Sequence, residues 1–227
     1  AVIIEGVPAN NGLLIQDKEY IHFLRDITAQ HGTLLIFDEV ITGFRLGFEG
    51  AAKYYDVNPD ILTYGKIIGG GMPVGAYGAS NELMAHISPD GGVYQAGTLS
   101  GNPIAMSAGI AALTILSEEG FYEKLTATTE EFVARLRAYI VSNGYELQLF
   151  TIGSIFWFAF TNQEKIQRAD QIQHESMEKY KIMHRELLNR GIYFGPSGYE
   201  VGFISASHTT EDLEKTIIAI QESLDVI

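Results

Sequence analysis

Two reactive side chains follow short apolar stretches in the first third of the sequence. Asp38 comes directly after the apolar residues 34–37, and Lys66 follows residues 61–64 and one glycine. A run of glycines at residues 69–71 comes soon after the lysine. If the two stretches are neighbouring parallel strands, a carboxylate and an amine lie at the sheet edge where ligands bind. This pair suits pyridoxal phosphate chemistry, in which the lysine forms a Schiff base and the carboxylate keeps the pyridine nitrogen protonated.

The same residues also allow structural interpretations. A solvated surface charge is the alternative for Lys66, although its place between a glycine and two isoleucines favours a ligand site. The glycine run is not a Walker A loop, because Ile67 stands where Ser or Thr should follow the lysine. Asp38 and Glu39 are alternatively an N-cap of the next helix or a Walker-B-like carboxylate, and a cap role is compatible with a cofactor role. The six histidines lack metal-ligand spacing, so no metal is predicted.

The composition indicates a folded protein with a sizeable core. The chain has 227 residues, of which 46% are hydrophobic and 19% are charged, enough for one large domain or two small ones. The net charge of −13 argues against nucleic acid and against an anionic membrane surface as partners. No apolar run reaches the ~20 residues of a membrane span. The lack of cysteine excludes disulfides and thiolate catalysis and is compatible with a cytoplasmic protein.

Strand-like and helix-like segments alternate over the first hundred residues, which predicts an α/β fold with a mostly parallel sheet. The chain opens as a strand without an initiator Met, so we expect it to begin partway through a domain. The pattern changes near residue 118. We therefore assign residues 1–117 to part of a large cofactor-binding domain and residues 118–227 to a small α+β domain. The predicted strands of the first domain are residues 1–5, 33–38, 61–64 and 74–79, and its predicted helices are residues 17–31, 50–55 and 103–116.

Capping signals and periodicity predict the elements of the second domain. Thr161 and Glu164 have the spacing of a capping box, which predicts a long helix from there to about Arg190, ended by Gly191. Thr209 and Asp212 repeat this spacing before a last helix. That helix is expected to carry on one face Leu213, Ile217, Ile220, Leu224 and Ile227. The other predictions are a helix at 122–142, one or two strands within 147–160, and strands at 192–194 and 201–207.

Residues 95–103 lead into the predicted helix at 103–116, which consists of small and apolar residues. Backbone N–H groups and a hydroxyl near a helix start form a natural seat for phosphate. A simple capping loop is the alternative, and the residues themselves leave both interpretations open. The small side chains predict that the helix is buried and closely packed.

Several segments together resemble the class III aminotransferases, whose α/β fold is aspartate-aminotransferase-like (fold type I of the pyridoxal phosphate enzymes). These segments are residues 34–45, 65–75, 94–106 and 196–205. Within that class they resemble in particular the glutamate-1-semialdehyde 2,1-aminomutases, and the likeness runs along the whole chain as the second half of that family's subunit. The resemblance implies a homodimer that uses pyridoxal 5'-phosphate and pyridoxamine 5'-phosphate.

The resemblance also implies roles for individual residues around this cofactor. Lys66 is expected to form the Schiff base and to shuttle protons, and Asp38 to pair with the pyridine nitrogen. Val40 is expected to pack against the face of the ring, and Asn10 to lie near its phenolic oxygen. Thr98 is expected to contact the phosphate that is bound in the partner subunit, which makes the homodimer obligatory.

Glu200 stands where transaminases of this class often hold an arginine for the substrate carboxylate, and this favours the aminomutase. The implied reaction is an internal amino exchange that converts glutamate-1-semialdehyde to 5-aminolevulinate for tetrapyrrole synthesis. Residues 5–12 depart from the family's usual pattern through Gly6 and Pro8. A class III transaminase acting on another amino substrate is therefore an alternative. A non-enzymatic, truncated copy is the third possibility, because the family's main phosphate cup is expected upstream of Ala1.

Overall fold

A computed structural model describes residues 1–227, which divide into two compact units. The first unit comprises Ala1–Val7 and Gln16–Phe121, and the second comprises Pro8–Ile15 and Tyr122–Ile227. The segment Pro8–Ile15 was expected in the first domain. The structure places this segment in the second unit, where Gly12 donates a backbone hydrogen bond of 2.7 Å to Tyr199. That the first unit is part of a larger cofactor-binding domain stays a prediction.

The first unit is built on a four-stranded, mostly parallel sheet. Its strands, hydrogen-bonded in this order, are β1 (Val2–Ile4), β2 (Leu35–Asp38), β3 (Ile61–Tyr64) and β4 (Ala76–Ala79). β1, β2 and β3 run parallel to one another, and β4 runs antiparallel to β3. The sheet agrees with the predicted fold class, because helices connect the parallel strands.

The helices of the first unit are α1 (Lys18–Gln30), α2 (Gly50–Tyr55), α3 (Asn81–Met84) and α4 (Pro103–Leu116). One half-buried carboxylate ties α1 to two strands. Asp60, just before β3, accepts a hydrogen bond of 2.9 Å from the Arg25 guanidinium and one of 2.7 Å from the backbone N–H of Leu35. Since Leu35 opens β2, this carboxylate joins the starts of the two strands whose far ends carry Asp38 and Lys66.

Helix α4 is apolar along its length but only partly buried. Gly109 packs closely, because a Cβ there would lie 2.5 Å from the carbonyl oxygen of Ile68. On other faces of the helix, Ile104 is 71% exposed and Ile110 is 68% exposed. The prediction that the whole helix is buried is therefore wrong. Its small residues bury only the stripe that faces residues 66–69.

The second unit is an antiparallel sheet packed against helices. The strands, in order, are β5 (Gln148–Ile152), β6 (Ile155–Ala159) and β7 (Gly202–Phe203), and the helices are α5 (Phe121–Asn143), α6 (His174–Asn189) and α7 (Thr210–Leu224). Every residue of β6 is buried. All three helices contribute to one apolar core, through residues such as Leu136, Leu187 and Ile220. This is the α+β arrangement expected from the sequence.

Of the two predicted capping boxes, only the second begins a helix. Thr209 accepts a hydrogen bond of 3.1 Å from the backbone N–H of Asp212, whose carboxylate accepts one of 2.9 Å from the N–H of Thr209. Thr161 instead closes a tight turn, and α6 begins only at His174. The prediction for Thr161 is wrong because backbone N–H groups of the loop before α6 are bonded to a side chain within that loop. The side-chain oxygen of Gln171 accepts two backbone N–H groups there.

Three further predictions for the second unit differ from the structure. Residues 192–194 do not form a strand, and the predicted strand 201–207 is reduced to Gly202–Phe203. The carbonyls in this region are bonded to side chains of α6: Tyr180 donates to Gly195 at 2.9 Å, and a ring nitrogen of His184 lies 3.2 Å from the carbonyl oxygen of Phe194. These bonds replace a strand ladder. The helical face predicted to include Ile227 ends at Leu224, where α7 stops.

No single helix in the chain is long and apolar enough to cross a membrane. α4 and α5 meet the length and composition criteria only when they are taken together as a pair.

Candidate active site

The carboxyl ends of β2 and β3 carry the two predicted reactive residues to one edge of the sheet. Asp38 is the last residue of β2 and lies opposite Thr63 of β3. The chains stay joined one residue further, where the N–H of Glu39 donates to the carbonyl oxygen of Thr63 at 2.9 Å. Asp38 is half-buried, and its Oδ1 accepts the N–H of Val40 at 2.9 Å. These bonds fix the Asp38 carboxylate at the end of its strand.

Lys66 begins a tight turn directly after β3. Its φ of 49° lies in the left-handed region, which costs a non-glycine residue roughly 1–3 kcal/mol. The 3₁₀ turn Lys66–Gly69 ends at Gly70, where a Cβ would lie 2.3 Å from the carbonyl oxygen of Ala108. The turn therefore begins with a strained residue and packs closely against α4. Strain of this kind is typical of functional sites, and here it presents an exposed lysine at the sheet edge.

Val40 and Gly65 pack against each other at the same edge. A Cβ on Gly65 would lie 3.3 Å from Cγ1 of Val40, and Gly65 itself is buried. The structure thus brings Asp38, Val40 and the backbone that precedes Lys66 together, as the sequence predicts. Their roles toward a cofactor stay predictions.

Arg45 belongs to this site but was not identified from the sequence. It lines an open cleft of about 620 Å³ together with Lys66, Met72 and Val74. Its Nε donates to the carbonyl oxygen of Ile41 at 3.0 Å, and burial lowers the pKa of its guanidinium to about 10. The signal for it in the sequence is a basic residue in an otherwise apolar stretch close after Asp38. Two cations at one cleft attract anions locally, despite the net negative charge of the chain.

Glu39, the residue after Asp38, is fully buried. Its Oε2 accepts the N–H of Ala51 at 2.9 Å, and its Oε1 accepts the N–H of Ala52 at 2.7 Å. The hydroxyl of Thr42 also donates to Oε2. A carboxylate stabilises a helix at its N-terminus, so Glu39 stabilises the start of α2. The prediction that Asp38 or Glu39 is the N-cap residue of the next helix is wrong, because that residue is Glu49, but the Glu39 side chain does accept the N–H groups at the helix start.

Thr98 lies in an exposed turn before α4. Asn102 is the N-cap of that helix: its side-chain oxygen accepts the N–H of Ala105 at 2.9 Å, and its side-chain nitrogen donates to the carbonyl oxygen of Leu99 at 2.9 Å. The capping-loop interpretation of residues 95–103 is thus confirmed. The phosphate role predicted for Thr98 is compatible with it and stays a prediction.

In the second unit, Asn10 and Glu200 lie on segments that are hydrogen-bonded to each other. The bond from Gly12 to Tyr199 joins the two segments. The indole N–H of Trp157 donates to the backbone of the same turn at 2.7 Å. Both predicted side chains are exposed. Long-range backbone contacts therefore group these two residues, and no local sequence pattern reveals such contacts.

Glu200 lines a cleft of about 490 Å³ with aromatic walls that include Phe156, Tyr180 and Phe194. The hydroxyl of Tyr180 donates to the carbonyl oxygen of Gly195. Burial, and to a lesser extent the negative charge of Glu200, raise the pKa of Tyr180 to about 12. Asp212 and Lys215 line the same cleft, so the Glu200 carboxylate is one of three charged groups around its aromatic walls.

Comparison with known proteins identifies the same family that the sequence motifs resemble. The family described as Aminotransferase class-III matches residues 1–223. A glutamate-1-semialdehyde 2,1-aminomutase from Akkermansia muciniphila is 45% identical over 224 residues, which are 99% of this chain and 52% of that protein. The chain therefore spans about half the length of the curated relative it matches.

Solved structures agree with this result. An omega-transaminase from Sphaerobacter thermophilus has a TM-score of 0.91 and 29% identity, over 99% of this chain and 51% of that one. A glutamate-1-semialdehyde-aminomutase from Pseudomonas aeruginosa PAO1 has a TM-score of 0.85 and 23% identity over the same shares, a likeness of fold. The predicted aspartate-aminotransferase-like fold is confirmed, and the chain belongs to the class III aminotransferase family.

Proposed function

We propose that this chain is part of a pyridoxal 5'-phosphate-dependent aminomutase that converts glutamate-1-semialdehyde to 5-aminolevulinate by internal amino exchange. The observation that carries the proposal is the placement of Asp38 and Lys66 at the carboxyl ends of adjacent parallel strands. The choice of substrate is supported by the 45% identity to the aminomutase from Akkermansia muciniphila.

The residues at this sheet edge fit pyridoxal phosphate. Lys66 offers an exposed amine beside an open cleft, Asp38 offers a fixed carboxylate, and Val40 offers an apolar surface. Lys66 would hold the cofactor covalently, Asp38 would hold its ring nitrogen, and Thr98 would contact the phosphate bound by the partner subunit. When bound, the cofactor supplies an electron sink for the charge left when a proton leaves the amino-bearing carbon.

The two reactive side chains would manage the protons of this reaction. A carboxylate beside the ring nitrogen stabilises its positive charge, so Asp38 keeps that nitrogen protonated. The Lys66 amine takes the proton from one amino-bearing carbon and returns it at another position, as a general base and then a general acid. The rigid turn at Lys66 keeps the amine at the sheet edge through both steps.

Glu200 supports the aminomutase over a transaminase. A transaminase of this class needs a cation to bind the carboxylate of its amino acid substrates, and a glutamate repels that group. The carboxylate of Glu200 lines a cleft with several aromatic walls, whose other charged residues are Asp212 and Lys215. An internal exchange needs no second amino acid, so it tolerates this repulsion.

A class III transaminase is the second candidate. It is supported by the structural likeness to the omega-transaminase from Sphaerobacter thermophilus, at a TM-score of 0.91. Gly6 and Pro8, which depart from the aminomutase pattern, leave room for a different amino substrate.

We also infer a cytoplasmic homodimer. The turn that holds Thr98 leads directly into α4, whose exposed Ile104 and Ile110 are suited to burial against another subunit. A second copy that covers these side chains would bring Thr98 toward the partner's site. The lack of cysteine is compatible with a reducing compartment.

The test of the proposed function is an assay without a second substrate. The holoprotein is incubated with glutamate-1-semialdehyde alone, and 5-aminolevulinate is measured. We expect product without any added amino donor or 2-oxo acid. Activity only in the presence of both additions, with no isomerisation, would support the transaminase instead. Failure to bind pyridoxal phosphate at all would contradict both candidates.

A further inference from the structure

Glu39 is the only charged residue that is buried in the chain. A carboxylate taken out of water is costly unless hydrogen bonds compensate it. Three neutral donors meet it here, namely the N–H groups of Ala51 and Ala52 and the hydroxyl of Thr42. The residue directly after Asp38 is therefore a carboxylate that is buried and fully enclosed by hydrogen-bond donors.

The socket around Glu39 is shaped for this carboxylate. Gly50 has a φ of 68°, and a Cβ there would lie 2.5 Å from Oε2 of Glu39, so only glycine fits. The hydroxyl that Thr42 donates is itself buried, since Thr42 is 1% exposed. The start of α2 and the turn after β2 thus close on one carboxylate from two sides.

A chain of contacts leads from this socket to the end of β3. The N–H of Gly43 donates to the carbonyl oxygen of Glu39 at 2.8 Å, and a Cβ on Gly43 would lie 2.7 Å from the ring of Tyr64. Tyr64 is the last residue of β3, and burial together with the charge of Glu39 raises the pKa of its phenol. The turn that Glu39 anchors therefore packs on the strand end that leads to Lys66.

The same turn also bears on the rest of the site. Val40 follows Glu39 and packs on Gly65, and the N–H of Val40 is the donor that holds the Asp38 carboxylate. A shift of the turn would move this donor and the surface of Val40 together.

We propose that Glu39 is a positioning residue for the cofactor site: through its buried contact with Thr42 and α2, it fixes the turn that orients Asp38 and Val40 and braces Gly65. This inference rests on the proposed cofactor function. It predicts that removing a hydrogen bond to Glu39 weakens the interaction between Asp38 and the ring nitrogen, although Glu39 and Thr42 do not touch the cofactor themselves.

The test compares T42V with T42S in the holoprotein. T42V keeps the volume and removes only the hydroxyl, whereas T42S keeps a hydroxyl and serves as the matched control. Release of pyridoxal phosphate is followed after dilution into apo-acceptor. The pH midpoint of the cofactor's visible absorbance change is measured as well, since a change confined to helix stability would not move it.

We expect T42V to release the cofactor about tenfold faster. The free energy of one hydrogen bond to a charged group corresponds to a factor of about ten in an equilibrium constant. We also expect its pH midpoint to rise. A ring nitrogen that is held less firmly withdraws fewer electrons from the lysine-linked nitrogen, which then keeps its proton to higher pH. T42S should resemble the wild type in both measurements.

Equal release rates and equal midpoints in wild type, T42V and T42S would overturn the inference and leave the proposed function standing. A wild type without the visible band of bound cofactor would overturn both. If T42V does not fold, E39Q is measured in its place. It keeps the volume but turns an amide N–H₂ toward the donors of α2, and an unchanged midpoint in folded E39Q would equally overturn the inference.

Discussion

The two groups of predicted site residues differ in how the chain holds them. Asp38, Val40 and Lys66 lie at strand ends, where ladder bonds, a capped helix and close glycine packing fix the backbone. Asn10 and Glu200 lie on loops of the second unit and point exposed side chains outward. A rigid sheet edge suits chemistry that a whole family shares, whereas loops can change the choice of substrate without disturbing the core. The two regions should therefore respond to mutation in different ways.

The largest effect is expected at Lys66. K66A removes the covalent link and the proton carrier together, so formation of 5-aminolevulinate should fall by roughly 10³-fold or more. Borohydride reduction followed by peptide mapping should label Lys66 in the wild type. K53A is the matched control, since Lys53 is an exposed lysine with only a loose pairing of 4.0 Å to Glu49. A label on any other lysine would contradict the role of Lys66.

The second effect concerns Asp38. D38N can still accept the N–H of Val40, so the fold should persist, but a neutral amide does not hold the ring proton. We expect kcat to fall by about 10²-fold with cofactor bound, and the circular dichroism spectrum to stay unchanged. D26N, an exposed carboxylate on α1, is the control. Wild-type turnover in cofactor-loaded D38N would refute the assigned role.

The third effect, at Glu200, should change specificity rather than rate. At ~4 Å and an effective dielectric of about 20, the repulsion between two like charges costs on the order of 4 kcal/mol. In a solvated cleft about a third of this energy still changes the affinity about tenfold. E200R should therefore raise transamination of ordinary α-amino acids about tenfold, with E200Q in between. E211Q, an exposed site on α7, is the control. Equal side activities in all three variants and the wild type would show that Glu200 does not set specificity.

The smallest effect is a change of stability at Tyr180. Y180F loses the hydrogen bond to Gly195, so it should be less stable by about 1 kcal/mol at pH 8. The folded wild type keeps the phenol proton to about pH 12, whereas the unfolded chain loses it near pH 10. The contribution of Tyr180 is therefore present below pH 10 and is lost as pH rises toward 12.

Urea unfolding at pH 8 and pH 11 checks this prediction. The difference in the free energy of unfolding between Y180F and the wild type should be smaller at pH 11. Y20F, with a half-exposed ring on α1, should show no such change. A constant difference between Y180F and the wild type would contradict the raised pKa.

The sequence was sufficient wherever one short segment determines the structure. Asp38 and Lys66 could be placed because apolar runs predict strands, and polar residues directly after parallel strands must meet at one edge. The cap at Thr209 could be predicted because both of its hydrogen bonds lie within four residues of chain.

The sequence was insufficient wherever contacts between residues that are far apart in the chain determine the local structure. Thr161 has the same capping pattern as Thr209, but the side chain of Gln171 competes for the backbone of that loop. The apolar composition of α4 does not specify which face is covered. Arg45 and the socket of Glu39 depend on contacts between separate elements, and no local pattern reveals such contacts.

The assignment of Pro8–Ile15 to the second unit limits how members of this family can exchange parts. This segment lies between β1 and α1, yet a Cβ on Gly12 would lie 2.9 Å from the ring of Trp157, and its N–H pairs with Tyr199. A chimera that joins this chain to a relative at Phe121 would separate the segment Pro8–Ile15 from the Trp157 ring against which it packs. Recombination at that point therefore requires the segment Pro8–Ile15 to be transplanted together with the second unit.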